Sequence, residues 1–298
     1  MSQLAELRTL IARHARNSKL GSLVPGLSMS ADASRTEPLA RIYEPIFGIV
    51  AQGEKRTMLA DRVFDYRPGN YLVVAVDLPV TCQVTQASAR APFLGVGLTL
   101  KPELIASVML ESESAGPTLR PQPILVSEAS DDLLEPVVRL IRLLDRPRDI
   151  PVLRPMIERE IVWRLLSDEQ GGSVRRLGMA DSALSRISRA TRWIREHYAE
   201  PFRVEALARY VAMSPTSFHR HFRAATAMSP LQYLKRIRLH EARTRLLTNG
   251  QDIANVGFSV GYESPSQFSR EYARAFGAPP GRDAARLRGA LVQNPSGI

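Results

Sequence analysis

The stretch "SPTSFHRHF", Ser214 to Phe222, nearly recurs as "SPSQFSREY", Ser264 to Tyr272, fifty residues later. Each copy opens on Ser-Pro, which reads as a helix start: the serine caps a backbone N–H, and proline fits the first helical position, where its missing N–H costs nothing. At the 100° step of a helix, Phe218, Phe222 and Ala225 share one face of the first copy. Arg220 lies about 200° from Phe218, with Thr216, Ser217 and Arg223 near it. In the second copy Phe268, Tyr272 and Phe276 repeat the apolar face, and Ser266, Gln267, Arg270 and Arg274 repeat the polar, cationic one. The chain is therefore expected to build one short helical unit twice.

The residues before each copy match as well. "VEALARYVAM" sets Val204, Leu207, Ala208 and Val211 at i, i+3, i+4 and i+7, and "DIANVGFSVGYES" does the same with Ile253, Val256, Gly257 and Val260. Gly261 supplies a turn in the second unit where the first has Ala212. A short helix, a tight turn and a capped helix with Ser, Gln, His219 and Arg on its outer face make a helix-turn-helix, whose second helix enters the major groove N-terminus first. Between the units, Pro230 to Thr248 reads as one helix of nineteen residues ended by Asn249-Gly250. It spans roughly 28 Å at 1.5 Å per residue. One turn of B-DNA is about 34 Å, so the spacing suits two reading helices in successive major grooves.

Charge follows the same division. Residues 1 to 180 hold 22 Lys and Arg against 21 Asp and Glu, and residues 181 to 298 hold 18 against 9, so the net +10 belongs almost wholly to the last third. A polyanionic partner fits that asymmetry better than an acidic small substrate does.

Upstream, "IFGIVAQG", "KRTMLADRVFDY", "NYLVVAV", "VTCQVTQ" and "PFLGVGLTL" are short, rich in β-branched and aromatic residues, and separated by turns such as Pro68-Gly69-Asn70 and Asp77-Leu78-Pro79. They predict a small barrel or sandwich. After Pro123 the period becomes helical. Leu133, Leu134, Val137, Val138, Ile141 and Leu144 form one stripe, and Ile157, Ile161, Trp163, Leu165 and Leu166 lie in a second segment, with Pro147 and Pro151 at the join. The result is a helical hairpin whose spare face packs on the barrel or on a second copy of the chain. "SDEQGGSVRRLGMADS", Ser167 to Ser182, reads as a connection. "LSRISRATRWIREHY" then sets Leu184, Ile187, Ala190 or Thr191, and Ile194 on one face.

The segment from about Leu184 to Arg288, and above all "LQYLKRIRLHEARTRLL" and "VGFSVGYESPSQFSREYARAFGAPP", resembles the paired helix-turn-helix domain of the AraC/XylS family of bacterial transcription regulators. The resemblance implies base- or phosphate-facing positions at Thr216, Ser217, His219 and Arg220 in the first reading helix and at Ser266, Gln267, Ser269 and Arg270 in the second. One departure is visible: the family commonly closes with a Tyr-Arg pair after its proline, where this chain has "PPGRDAARLR". "YEPIFGIVAQGEKRTMLADRVFDYRPGNYLVVAVDLPVTCQVTQAS" resembles the cupin-like N-terminal domain of a subgroup of these regulators, a module for sensing or dimerisation, and the likeness runs on through "RPMIEREIVWRLL".

The expected fold is α+β: a cupin-like barrel with a helical hairpin over residues 1–175, a linker at 176–183, an all-α domain of two helix-turn-helix units over 184–288, and a flexible tail at 289–298. The expected function is sequence-specific binding of double-stranded promoter DNA, modulated by an unidentified small molecule at the barrel. RNA polymerase is a partner if the protein is an activator, and a homodimer is possible. The alternatives are a cupin-type enzyme joined to a DNA-binding domain, or an architectural binder without sequence choice. Against the enzyme, His14, His197, His219, His221 and His240 all lie outside the barrel strands, so a histidine-built metal site there is not expected. No G-x-S-x-G occurs, and "GVG" at Gly95 to Gly97 lacks the third glycine and following helix of a dinucleotide site. No metal, cofactor or catalytic residue is implied. Cys82, the one cysteine, has no internal disulfide partner, which fits a reducing cytoplasm, and it is a candidate for the effector pocket. No apolar run is long enough to span a membrane.

Overall fold

In the computed structural model, residues 2–15, 17, 23–111, 122–168, 171–248 and 252–293 are described, with backbone alone over 290–293. Two antiparallel sheets face each other in the N-terminal half. The first has the order β1 (Leu27–Asp32), β8 (Phe93–Thr99), β3 (Ile46–Gln52), β6 (Asn70–Val74), β9 (Ile124–Glu128). The second has the order β2 (Leu39–Tyr43), β7 (Leu78–Gln86), β4 (Glu54–Leu59), β5 (Arg62–Tyr66).

Alternation assigns the two faces of the larger sheet. Phe47, Ile49, Tyr71, Val73, Leu94, Val96 and Leu98 point away from the second sheet into a core shared with helices. Those helices are α1 (Gln3–His14), α2 (Pro102–Glu111), α3 (Asp131–Arg142), α4 (Ile150–Ser167) and α5 (Gly171–Gly178). The helical hairpin, α3 with α4, thus packs on the barrel as one of the two expected options. Trp163 departs from the expected stripe: it stays 38% exposed, on a face of α4 with exposed Val152 and Met156.

The Gly- and Ser-rich stretch read as a connection, including the start of the expected 176–183 linker, is helical over Gly171–Gly178 and buries Val174 and Leu177 in that core. Its glycines serve close approach and not freedom. A Cβ at Gly171 would run into the Leu166 carbonyl, and one at Gly178 into the Ile105 side chain.

The C-terminal helices follow as α6 (Ala183–Glu196), α7 (Val204–Tyr210), α8 (Pro215–Thr226), α9 (Pro230–Thr248), α10 (Ile253–Ser259), α11 (Pro265–Phe276) and α12 (Pro280–Gln293). The expected terminator of α9, Asn249-Gly250, lies outside the described residues. The tail expected from 289 is helical as far as Gln293.

The inner face of the barrel, the first helical unit and the start of α9 share one apolar cluster, which holds Val74, Leu78 and Val80, Phe218 and Phe222, and Tyr233, Leu234 and Ile237. The Tyr233 hydroxyl donates to the Asp77 carbonyl at 2.8 Å, and Arg195 reaches Glu44 at 2.5 Å and Asp77 at 3.8 Å. The second unit has its own cluster around Val256, Val260, Phe268 and Tyr272.

Candidate nucleic-acid interface

The two reading helices are built alike from the residue upward. Ser214 Oγ accepts the Ser217 N–H at 3.3 Å with Pro215 in the first turn, and Ser264 Oγ accepts the Gln267 N–H at 3.4 Å with Pro265 in the same place. Each turn closes in the same way. The N–H after the positive-φ residue returns to the carbonyl five residues back, Met213 to Ala208 at 2.9 Å and Tyr262 to Gly257 at 3.1 Å. Ala212 holds φ 54° and Gly261 φ 91°; at the helix ends Ala227 holds φ 61° and Gly277 φ 77°. The first unit therefore uses alanine twice in the left-handed region where the second uses glycine.

An arginine from the preceding long helix locks each turn. Arg186 donates to the Ala212 carbonyl at 2.7 Å, and Arg238 to that of Gly261 at 2.8 Å. Arg238 also donates to the carbonyls of Tyr198 at 2.7 Å and Glu200 at 3.1 Å. One guanidinium thus ties the end of α6 to the turn of the second unit and fixes how the two units sit on α9.

Phe218 and Phe222 are fully buried, as are Phe268 and Tyr272, while Phe276 is half-buried at the edge of the second core. Thr216, His219, Arg220 and Arg223 are exposed and Ser217 is half-exposed. Ser266, Gln267, Arg270 and Arg274 are exposed and Ser269 is half-exposed. Every residue singled out on the two reading helices therefore has surface to offer. Arg220 lies 3.3 Å from the His221 ring nitrogen, and burial, then the Arg220 charge, hold His221 below the ordinary histidine range. Arg270 Nε rests on its own helix, 3.3 Å from the Ser266 carbonyl. Gln267 is engaged with Glu271 at 3.1 Å, so it must exchange that partner to reach a base.

The structure adds cations that the sequence reading passed over. A cleft of about 380 Å³ between α8 and α11 is bounded by Arg223, Arg274 and, from α9, Lys235 and Arg236, with Ala60 of the β4–β5 turn at its lip. Glu271 is the carboxylate among its lining residues, and it pairs with Lys235 at 2.7 Å. A connecting helix carries no recurring motif to flag such positions; only the fold brings them between the two reading helices.

A family model for the AraC-type transcriptional regulator N-terminus matches residues 23–173, and a helix-turn-helix domain model matches residues 207–286. The chain belongs to the AraC family of transcriptional regulators. Among its relatives, the transcriptional activator RhaS of Salmonella schwarzengrund is 27% identical over 167 residues, and that of Escherichia fergusonii is 33% identical over 106. These alignments take in 55% and 34% of this AraC-family chain and span 58% and 38% of the relatives' lengths. The fold is that of ToxT from Vibrio cholerae, whose structure superposes with a TM-score of 0.55 at 8% identity, over 88% of this chain and 97% of ToxT.

The N-terminal candidate of this AraC-family chain sits differently from expectation. A cavity of about 260 Å³ lies between the two sheets, but Cys82 does not line it. The thiol is buried one layer behind, against the Tyr43 hydroxyl, where Thr57 and Tyr66 are joined by a hydrogen bond of 2.6 Å. Among the described residues, no three of His, Cys, Asp and Glu lie close enough together to hold a metal ion, and no helix is long and apolar enough to cross a membrane.

Proposed function

We propose that this AraC-family regulator binds promoter DNA sequence-specifically by placing α8 and α11 in successive major grooves. The observation that carries the reading is the duplication itself: the same capped helix, with the same buried aromatics and outward arginine, stands at both ends of one nineteen-residue helix. Arg220 and Arg270 are assigned to critical contacts, with Thr216, Ser217, His219, Ser266, Gln267 and Ser269 as the short polar readers around them. Arg223 and Arg274 face the cleft with Lys235 and Arg236. They supply the sequence-independent attraction to phosphate.

Residues 1–175 are proposed as the regulatory domain, controlled by a small molecule in the barrel cavity. An activator role is supported by the description of the RhaS relatives as transcriptional activators. If the protein is an activator, RNA polymerase is its partner at the promoter. A homodimer would use the exposed Val152, Met156 and Trp163 face of α4. The proposed compartment is the cytoplasm, where the lone Cys82 stays reduced.

The test is selection of binding sites from random duplexes with the full chain. One motif with two half-elements about ten base pairs apart is expected. Arg220→Ala or Arg270→Ala should then cost about 1–3 kcal/mol on that motif and relax preference at one position if the arginine reads a base, or weaken all sequences alike if it holds a phosphate. Enrichment of no motif would leave the architectural reading in its place.

A further inference from the structure

The cleft between the reading helices is walled by α8, α9 and α11, yet one of its lining residues comes from the barrel. Ala60 stands at φ 54° in the short turn that joins β4 to β5. Strand register tells which way that turn faces. Arg62 pairs with Leu59 across the hairpin, and directly opposed residues of an antiparallel pair project from the same face. Leu59 is fully buried in the cluster that also holds Phe222, Met228 and Tyr233. The Arg62 side chain therefore leaves the sheet on the side of the first reading unit, and it stays exposed at the rim of that packed contact.

The charges around the cleft are out of balance. Among the described residues, Arg62 makes no ion pair, and neither do Arg223, Arg236 and Arg274 of the cleft; Lys235 is paired with Glu271 at 2.7 Å. Asp61, beside Arg62 at the tip of the turn, is exposed and makes no ion pair either. A turn that served to plug the cleft would lay its own carboxylate on these cations. This one comes to the lip and leaves the arginines open to a partner. Cations gathered along one opening without counter-ions suit a polyanion.

Duplex geometry names the part of the polyanion. When two helices occupy successive major grooves on one face, the minor groove between them turns toward the protein, with a phosphate backbone along each edge. The cleft lies between the two reading helices and so faces that minor groove, with the barrel turn at its lip. We propose that the β4–β5 turn of the barrel is a third DNA-contacting element, with Arg62 on the phosphate backbone that borders the minor groove between the two major grooves. This rests on the paired-groove reading and extends the interface from the helical domain to the barrel. A shift of β4 or β5 then alters the grip on DNA directly, without passing through α9.

The test uses the full chain on its selected duplex. Asp61→Cys is alkylated with an iron chelate, Cys82 being buried, and the radical cuts in the DNA are mapped with binding retained. Cuts are expected between the two half-elements. Separately, Arg62→Ala should lower the slope of log affinity against log salt by about 0.9 and weaken every sequence alike, while Arg62→Lys should keep the slope. Arg67→Ala, which removes the same charge just past the far end of β5, should leave the slope unchanged. Absent cuts, cuts outside the half-elements, an unchanged slope in Arg62→Ala or an equal drop in Arg67→Ala overturns the proposal. Tighter binding by Arg62→Ala also overturns it, and assigns the turn to blocking the cleft. If no paired motif is selected, the paired-groove reading fails and takes the proposal with it; a paired motif without central cuts removes the proposal alone.

Discussion

Ala212 and Gly261 occupy the same place in the two units, and each must hold positive φ. Only one of them is free to change. Ala212→Gly removes a left-handed alanine and should raise stability by up to about 1 kcal/mol in a urea melt, offset in part by the entropy of the unfolded glycine. Gly261→Ala should cost more than about 2 kcal/mol, because its Cβ would stand 2.8 Å from the Arg238 guanidinium and disturb the clamp between the units. A second residue-scale prediction concerns Asp283, which is fully buried and accepts from Arg243, Arg286 and the Tyr272 hydroxyl. It stands in the closing segment where the chain departs from the family's Tyr-Arg ending, and it gives α12 a firm seat on α9 and α11. Burial would raise its carboxyl, but bonds from Arg243 and Arg286 outweigh burial and hold it below the usual range. Its stabilisation is therefore present at neutral pH and lost as pH falls through that lowered value. Asp283→Ala leaves Arg243 buried without its partner and should cost about 3–5 kcal/mol.

At the scale of elements, the connection from β6 to β7 is the sensitive one. Asp77 has a buried carboxylate oxygen without a hydrogen-bond partner, and burial lifts its pKa to about 6. Arg195 and Arg192 draw it down while Glu44 and Glu196 push it up. Between the unfolded value of 3.8 and about 6 the folded chain holds the extra proton, so this group lowers stability as pH rises through that window. Asp77→Asn should therefore be the more stable protein at pH 7.5, by about 1–3 kcal/mol, with the advantage shrinking toward pH 4.5. His240, held neutral by burial near a pKa of about 3, destabilises the fold on acidification in both proteins and cancels in the difference.

What the sequence revealed at this scale depends on how each element announces itself. The helical units were legible because period, caps and aromatics coincide. The barrel was only half legible. "KRTMLADRVFDY" reads as one strand, yet it is the hairpin β4–β5, turned at Ala60 with φ 54° and no glycine or proline to mark it. β1, β2 and β9 carry serine, arginine and glutamate within their pattern and lack a strong strand signal. The glycines of α5 looked like a joint because close packing and flexibility use the same residue.

The whole molecule joins two parts through one shared core: a barrel with a cavity between its sheets, and a pair of reading helices held by α9. The reading helices were visible residue by residue; the cavity, and the cleft cations Lys235 and Arg236, exist only once strands and helices from distant parts of the chain meet. Because the cleft faces both reading helices, Arg236→Ala should lower the slope of log affinity against log salt by about 0.9 while base preference is kept. The most direct test is hydroxyl-radical footprinting of the full chain on its selected duplex. Two protected stretches on one face, about ten base pairs apart, are predicted. A single protected stretch, or two that lie on opposite faces of the helix, contradicts the paired-groove arrangement.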